Sequence, residues 1–127
     1  MKKLSGVLIA LVALEHLYFM VLEIFLWTKP TGLQTFGLTQ EFAEQTAALA
    51  ANQGLYNGFL AAGLIWSLFR RRDRFPLQVF FLGCVIVAGA FGAVTAKTSI
   101  LYVQAMPALV ALVFAVIAQR QRNANLI

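Results

Sequence analysis

The feature that most constrains this chain is a succession of apolar runs, each about as long as a membrane is thick. A hydrocarbon core of about 30 Å is crossed by roughly 20 helical residues, and lipid offers the backbone no hydrogen-bond partner outside the helix itself. Four such runs can be counted, at residues 4–28, 47–69, 76–96 and 99–118. Of the 127 residues, 61% are hydrophobic and 12% are charged, a balance outside the range of soluble domains and suited to lipid as solvent. No polar or Ser/Gly-rich linker interrupts the runs. One domain over residues 1–127 is expected, an all-α four-helix transmembrane bundle.

The net charge of +5 does not point to nucleic acid. The basic residues sit in short clusters at the ends of the runs rather than along one helix face, which is a topology signal. Lys2 and Lys3 precede the first run, Arg70, Arg71, Arg72 and Arg74 join the second to the third, and Arg120 and Arg122 follow the fourth. All three clusters belong on the cytoplasmic side, so both termini are expected there, in an inner (plasma) membrane of bacterial type. The other side receives only Lys29 and Lys97, with Glu41 and Glu44. Trp27 and Trp66 lie near span ends, where amphipathic rings prefer the headgroup level. A signal-peptide reading of the first run is disfavoured, because no A-x-A-like site follows and Glu15 and His16 lead into further apolar sequence. Cys84 stands alone within an apolar stretch and reads as a packing residue.

The longest connection, 29–46, is the place for an external element. Pro30 and Gly32 should stop the first helix, and Thr39 reads as an N-cap with Glu41 in the first turn, so the second helix should begin near Gln40 and project above the membrane. Leu33, Phe36 and Leu38 would then rest on the interface or fold over the bundle as a lid, but the leading expectation for this longer external connection is an ordinary interfacial loop. The third and fourth spans are joined so briefly, near 97–99, that they must form a tight antiparallel hairpin. Pro107 should bend the fourth helix or free a carbonyl.

Between membrane helices, small residues permit close approach. Gly54, Gly58 and Ala62 recur every four residues on the second span, and Ala88, Gly92 and Ala96 on the third, with Gly83 and Gly89 nearby. These faces are expected to make helix contacts, and they leave room for a homo-oligomer.

Polar groups inside apolar runs are costly, so they normally face the bundle interior and find partners. The first span carries Glu15, His16 and Glu23, the second Asn52, Gln53, Tyr56 and Asn57, the third Thr95 and the fourth Gln104. At about 100° per residue, Glu15, His16 and Glu23 share one sector of their helix, and the Asn52 to Asn57 set occupies a face distinct from that of Gly54 and Gly58. Glu15, His16, Glu23, Asn52, Gln53, Tyr56, Asn57 and Gln104 are therefore the candidate ligand-binding residues, lining a polar pocket open to the non-cytoplasmic side. No metal site is expected, since there is one His, one Cys and no standard ligand spacing. No cofactor can be named, and the sequence has no phosphate-binding glycine loop, G-x-S-x-G, H-E-x-x-H or C-x-x-C.

Three blocks carry a resemblance. Glu15-His16-x-Tyr18-Phe19-Met20-x-x-Glu23-x-Phe25-Leu26-Trp27-Thr28, then Phe36-Gly37-Leu38, then the run from Ala51 through Asn52-Gln53-Gly54-Leu55-Tyr56-Asn57-Gly58 to Leu64, resemble the domain of unknown function 1304 family of small membrane proteins. The resemblance spans nearly the whole chain and implies the membrane fold but no activity. In architecture alone the chain resembles other compact four-helix membrane families, including the glutathione-using eicosanoid enzymes and the DoxX-like proteins. Against the former, every arginine lies at a cytoplasmic span end, leaving none to hold glutathione within the bundle. The leading expectation is a pocket for a small or lipid-like ligand. A proton- or cation-coupled transporter, a membrane enzyme with Glu15 and His16 as an acid/base pair, and a structural or stress-related scaffold are the alternatives.

Overall fold

The computed structural model describes residues 1–125; Leu126 and Ile127, the end of the expected 1–127 domain, lie outside the described residues. Among the described residues five α-helices follow one another: α1 (Lys2–Ile24), α2 (Pro30–Phe36), α3 (Gln40–Phe69), α4 (Arg74–Thr95) and α5 (Met106–Ala124), with a π-helical turn over Leu101–Ala105 leading into α5. Among the described residues there is no strand. Among these residues three stretches are long and apolar enough to cross a membrane, Lys2–Ile24, Arg74–Thr95 and Leu101–Ala124, and they correspond to the expected first, third and fourth spans. The expected second span lies within α3. That helix has the length, at 30 residues, but Asn52, Gln53 and Asn57 interrupt its apolar character.

The chain divides into two compact units, one comprising Met1–Ala13 with Ala62–Ile127 and the other Leu14–Ala61. In the first, α4 packs against α5 and against the π turn, as the brevity of the connection at 96–98 requires. Gly89 and Gly92 make the approach possible. A Cβ on Gly89 would stand 2.8 Å from the Cβ and backbone nitrogen of Ala105, and one on Gly92 would stand 3.2 Å from Ile100. Of the small residues expected to mark this contact, Gly92 takes part, whereas Ala88 and Ala96 are exposed. The contact stripe runs through Val85, Gly89 and Gly92, because in the helix Ala88 turns about 100° away from Gly89. Near the end of α3, Gly63 lies directly under the ring of Phe81 on α4.

Helix α5 shows how such a unit is built for lipid. It buries Ala108, Ala111, Ala115 and Ala118, spaced three or four apart, while Leu109, Val110, Val113 and Ile117 are exposed. Small residues inside and large apolar residues outside invert the arrangement of a water-soluble core and match helix packing in membranes. Val79, Phe80, Val87, Phe91 and Val94 on α4 are likewise exposed. Pro107 sits in the first turn of α5 directly after the π turn, where the Met106 N–H bonds back to the Leu101 carbonyl. Proline has no N–H for the carbonyl four residues earlier, and the widened turn accommodates that loss.

In the Leu14–Ala61 unit, α1 ends at Ile24, earlier than the expected residue 28, and residues 25–29 form turns. Lys29 is extended (φ −93°, ψ 161°) because the residue before a proline is pushed out of the helical region, while Pro30 opens α2. The connection thus holds an ordered helix rather than a plain loop. Gly37 closes it with φ 66°, a left-handed conformation that glycine adopts without penalty. Gly32 passes so close to the Leu26 carbonyl that no side chain fits there. Trp27 ties the segment together, its ring 4.9 Å from that of Phe36 and its Nε1 donating to Thr46 Oγ1 at 3.1 Å. Helix α3 begins at Gln40 with the Thr39 hydroxyl accepting the Phe42 N–H at 3.2 Å, as the N-cap reading requires.

Candidate functional site

The candidate residues on α1 follow from its buried stripe. Ser5, Ile9, Val12 and His16 are buried at spacings of four, three and four residues, so the face that packs at the start of the helix carries His16 inward two turns later. His16 is fully buried and meets Phe19 edge-on, with ring centroids 5.7 Å apart. Glu15 and Glu23 are half-buried, Glu23 in line with this stripe and Glu15 to one side of it. One oxygen of Glu15, Oε2, is buried with no hydrogen-bond partner among the described residues.

Helix α3 meets this face of α1 through its glycines. A Cβ on Gly54 would come within 2.7 Å of Ile24 and 3.1 Å of Glu23, and one on Gly58 within 2.8 Å of Met20 Sδ. Asn57, about 60° around the helix from Gly54, is thereby carried to Glu23, and its Nδ2 donates to Glu23 Oε2 at 2.7 Å. The acid and amide blocks do meet, at this bond.

The remaining amide-face residues lie elsewhere. Asn52, Gln53 and Tyr56 are exposed, Tyr56 by 52%. The reason is angular: Asn52 and Tyr56 point about 160° from Gly54 and Gln53 about 100°, too far for the packed side to reach. Gln104 lies in the π turn of the other unit, and Thr95 is exposed with its hydroxyl donating to the Phe91 carbonyl at 2.8 Å. Among the described residues no three of His, Cys, Asp and Glu come together in a way that could hold a metal ion. The arrangement therefore consists of a buried imidazole, an acid held by an amide, and an acid with an unsatisfied oxygen, all within Leu14–Ala61. It can accept hydrogen bonds or a positive charge.

A second feature escaped the sequence reading. A cavity of about 450 Å³ lies within the unit of Met1–Ala13 and Ala62–Ile127, lined by Lys2, Arg71, Arg74, Arg122, Ser5 and Gln78 among others. Its cations were legible only as topology markers. The overlooked signal is the spacing of Ala115, Ala118, Gln119 and Arg122, which places a charge on the small-residue face of α5.

Comparison with known proteins agrees with the resemblance seen in the Glu15-His16 and Asn52 to Gly58 blocks. A Lactococcus lactis subsp. lactis (strain IL1403) protein, Uncharacterized protein YpaA, is 32% identical over 112 residues, covering 87% of this chain and 94% of that protein. No solved structure matches the chain. Residues 10–116 match the family described as protein of unknown function (DUF1304), a stretch that includes every candidate residue on α1 and α3, and the chain belongs to that family.

Proposed function

We propose that this protein spans the membrane four times with both ends at the cytoplasmic face, and binds a small or lipid-like ligand at Glu15 in the Leu14–Ala61 unit. The crossing number is supported by the cavity that Lys2, Arg71, Arg74 and Arg122 share. A chain that begins, returns at residue 71 and ends at one membrane face crosses an even number of times in each half. Helix α3, too polar to count by composition alone, supplies the return crossing, and its amide face is the part that lowers its hydropathy.

The observation that carries the ligand reading is the buried Glu15 oxygen without a partner, about 12 Å along α1 from Glu23, whose hydrogen bond to Asn57 is already made. An unsatisfied polar atom in an apolar medium is costly, and a donor group or cation on a ligand would satisfy it. Asn52, Gln53 and Tyr56, exposed and turned away from the packed side of α3, take no part in that contact.

Native mass spectrometry of the protein released from membranes tests this. Wild type should retain a small-molecule mass that Glu15→Gln loses while remaining folded. A Glu15→Gln protein that keeps the same mass, or wild type that carries none, removes the reading, and a proton-driven flux in liposomes would replace it with transport.

A further inference from the structure

We propose that the basic cavity of the Met1–Ala13 and Ala62–Ile127 unit is a second site, which binds the headgroup of an anionic phospholipid, a phosphate with no cation of its own beside it. Four cationic side chains from three separate stretches of chain line it: Lys2 at the start of α1, Arg71 and Arg74 where α4 begins, and Arg122 near the end of α5. Membrane topology accounts for cations at this end of the helices, but not for their meeting in one hollow. Arg72 and Arg120 would serve topology equally well, and neither lines the cavity. Among the described residues no acid lines it either. Asp73, the acid nearest in sequence, is engaged outside it by Arg70 at 2.8 Å.

The donors are prepared for oxygen. Arg122 Nε is buried without a hydrogen-bond partner among the described residues, an arrangement that an acceptor in the cavity would relieve. Arg74 is held in place by the Leu68 carbonyl at 2.7 Å and the Arg70 carbonyl at 3.1 Å, which leaves part of its guanidinium fork for a ligand. Ser5 and Gln78, 4% and 5% exposed, add neutral polar groups to the wall. Forked guanidinium groups match phosphate oxygens, and basic pockets among membrane helices hold phosphate headgroups.

The rest of the lining indicates the tail. Leu68, Phe75, Ala115 and Ala118 are apolar, and Ala115 lies about 10 Å along α5 from Arg122, toward the helix interior. A free inorganic phosphate would leave that part of the hollow empty, whereas a phospholipid headgroup with the first carbons of its chains would use both parts. The volume of about 450 Å³ is enough for such a fragment.

The test uses the full-length protein in nanodiscs of phosphatidylcholine with or without phosphatidylglycerol, followed by native mass spectrometry. Phosphatidylglycerol should be retained about tenfold in preference to phosphatidylcholine. Arg71→Gln and Arg122→Gln should each abolish that preference, while Arg72→Gln and Arg120→Gln leave it within about twofold. Competition with inorganic phosphate and glycerol 3-phosphate separates the sources. Displacement assigns the site to a soluble phosphate, and retention assigns it to the lipid. Equal losses in all four variants would mean generic surface attraction and overturn the proposal, as would no lipid preference in wild type. Should Arg122→Gln fail to fold, Arg71→Gln decides, since that side chain is exposed at the connection.

Discussion

At Gly54 a single added carbon would meet Ile24, Glu23 and the Met20 carbonyl, the last at 3.2 Å. Backbone and Cβ atoms cannot move aside cheaply, so Gly54→Ala should destabilise the protein by about 1–3 kcal/mol in detergent unfolding. Gly58→Ala has a different outcome. The added methyl meets the flexible end of Met20, and the helix gains intrinsic propensity, so the net change should stay within about 0.5 kcal/mol. The bond between Glu23 and Asn57 is short, but polar pairs in membrane proteins couple modestly because the unfolded chain finds other partners. A double-mutant cycle of Glu23→Gln with Asn57→Leu should give a coupling of about 0.6–1.5 kcal/mol. A value near zero would mean that the two groups do not interact in the membrane. The helical angles put Glu15, His16 and Glu23 in one sector, but did not say which amide would reach Glu23. That choice fell to Asn57 because Gly54 and Gly58 are the residues on which α3 approaches α1.

Among elements, the hairpin of α4 with the π turn and α5 has little freedom to adjust. Gly89 faces the backbone of Ala105, so Gly89→Leu should force the two helices apart and lower the thermal unfolding temperature sharply. Gly83→Ala, on the same helix, meets nothing within 4 Å and should raise it slightly, by about 0.5–1 kcal/mol of stability. The hairpin itself was readable from the brevity of its turn, and the start of α3 from the sequence Thr39-Gln40-Glu41, because caps and tight turns are governed by neighbouring residues. Helix α2 was not readable. Its seven residues carry little periodic pattern, and its order comes from Trp27, whose contacts with Phe36 and Thr46 reach across the connection.

For the molecule as a whole, the decisive prediction concerns sidedness. In a Cys84→Ala background, single cysteines replacing Lys3, Arg72 and Arg120 should react with an impermeant thiol reagent from the cytoplasmic side, and one replacing Lys97 from the opposite side. Lys3 and Arg72 labelling from different sides would show that α3 does not cross, leaving the three apolar helices as the only spans. By itself the sequence determined the helical class and the apolar spans, because runs of about 20 apolar residues suited to lipid must satisfy their backbones within a helix. It also determined the close approach of Gly54, Gly58 and Gly92, though not the exposure of Ala62, Ala88 and Ala96. Only the tertiary structure decided which polar groups meet, that Asn57 engages Glu23 while Asn52 and Gln53 stay exposed, and that scattered arginines close around one cavity. The physical reason is that these outcomes depend on how helices are rotated against one another. That rotation is set by contacts between residues far apart in the chain, which periodicity along one helix does not encode.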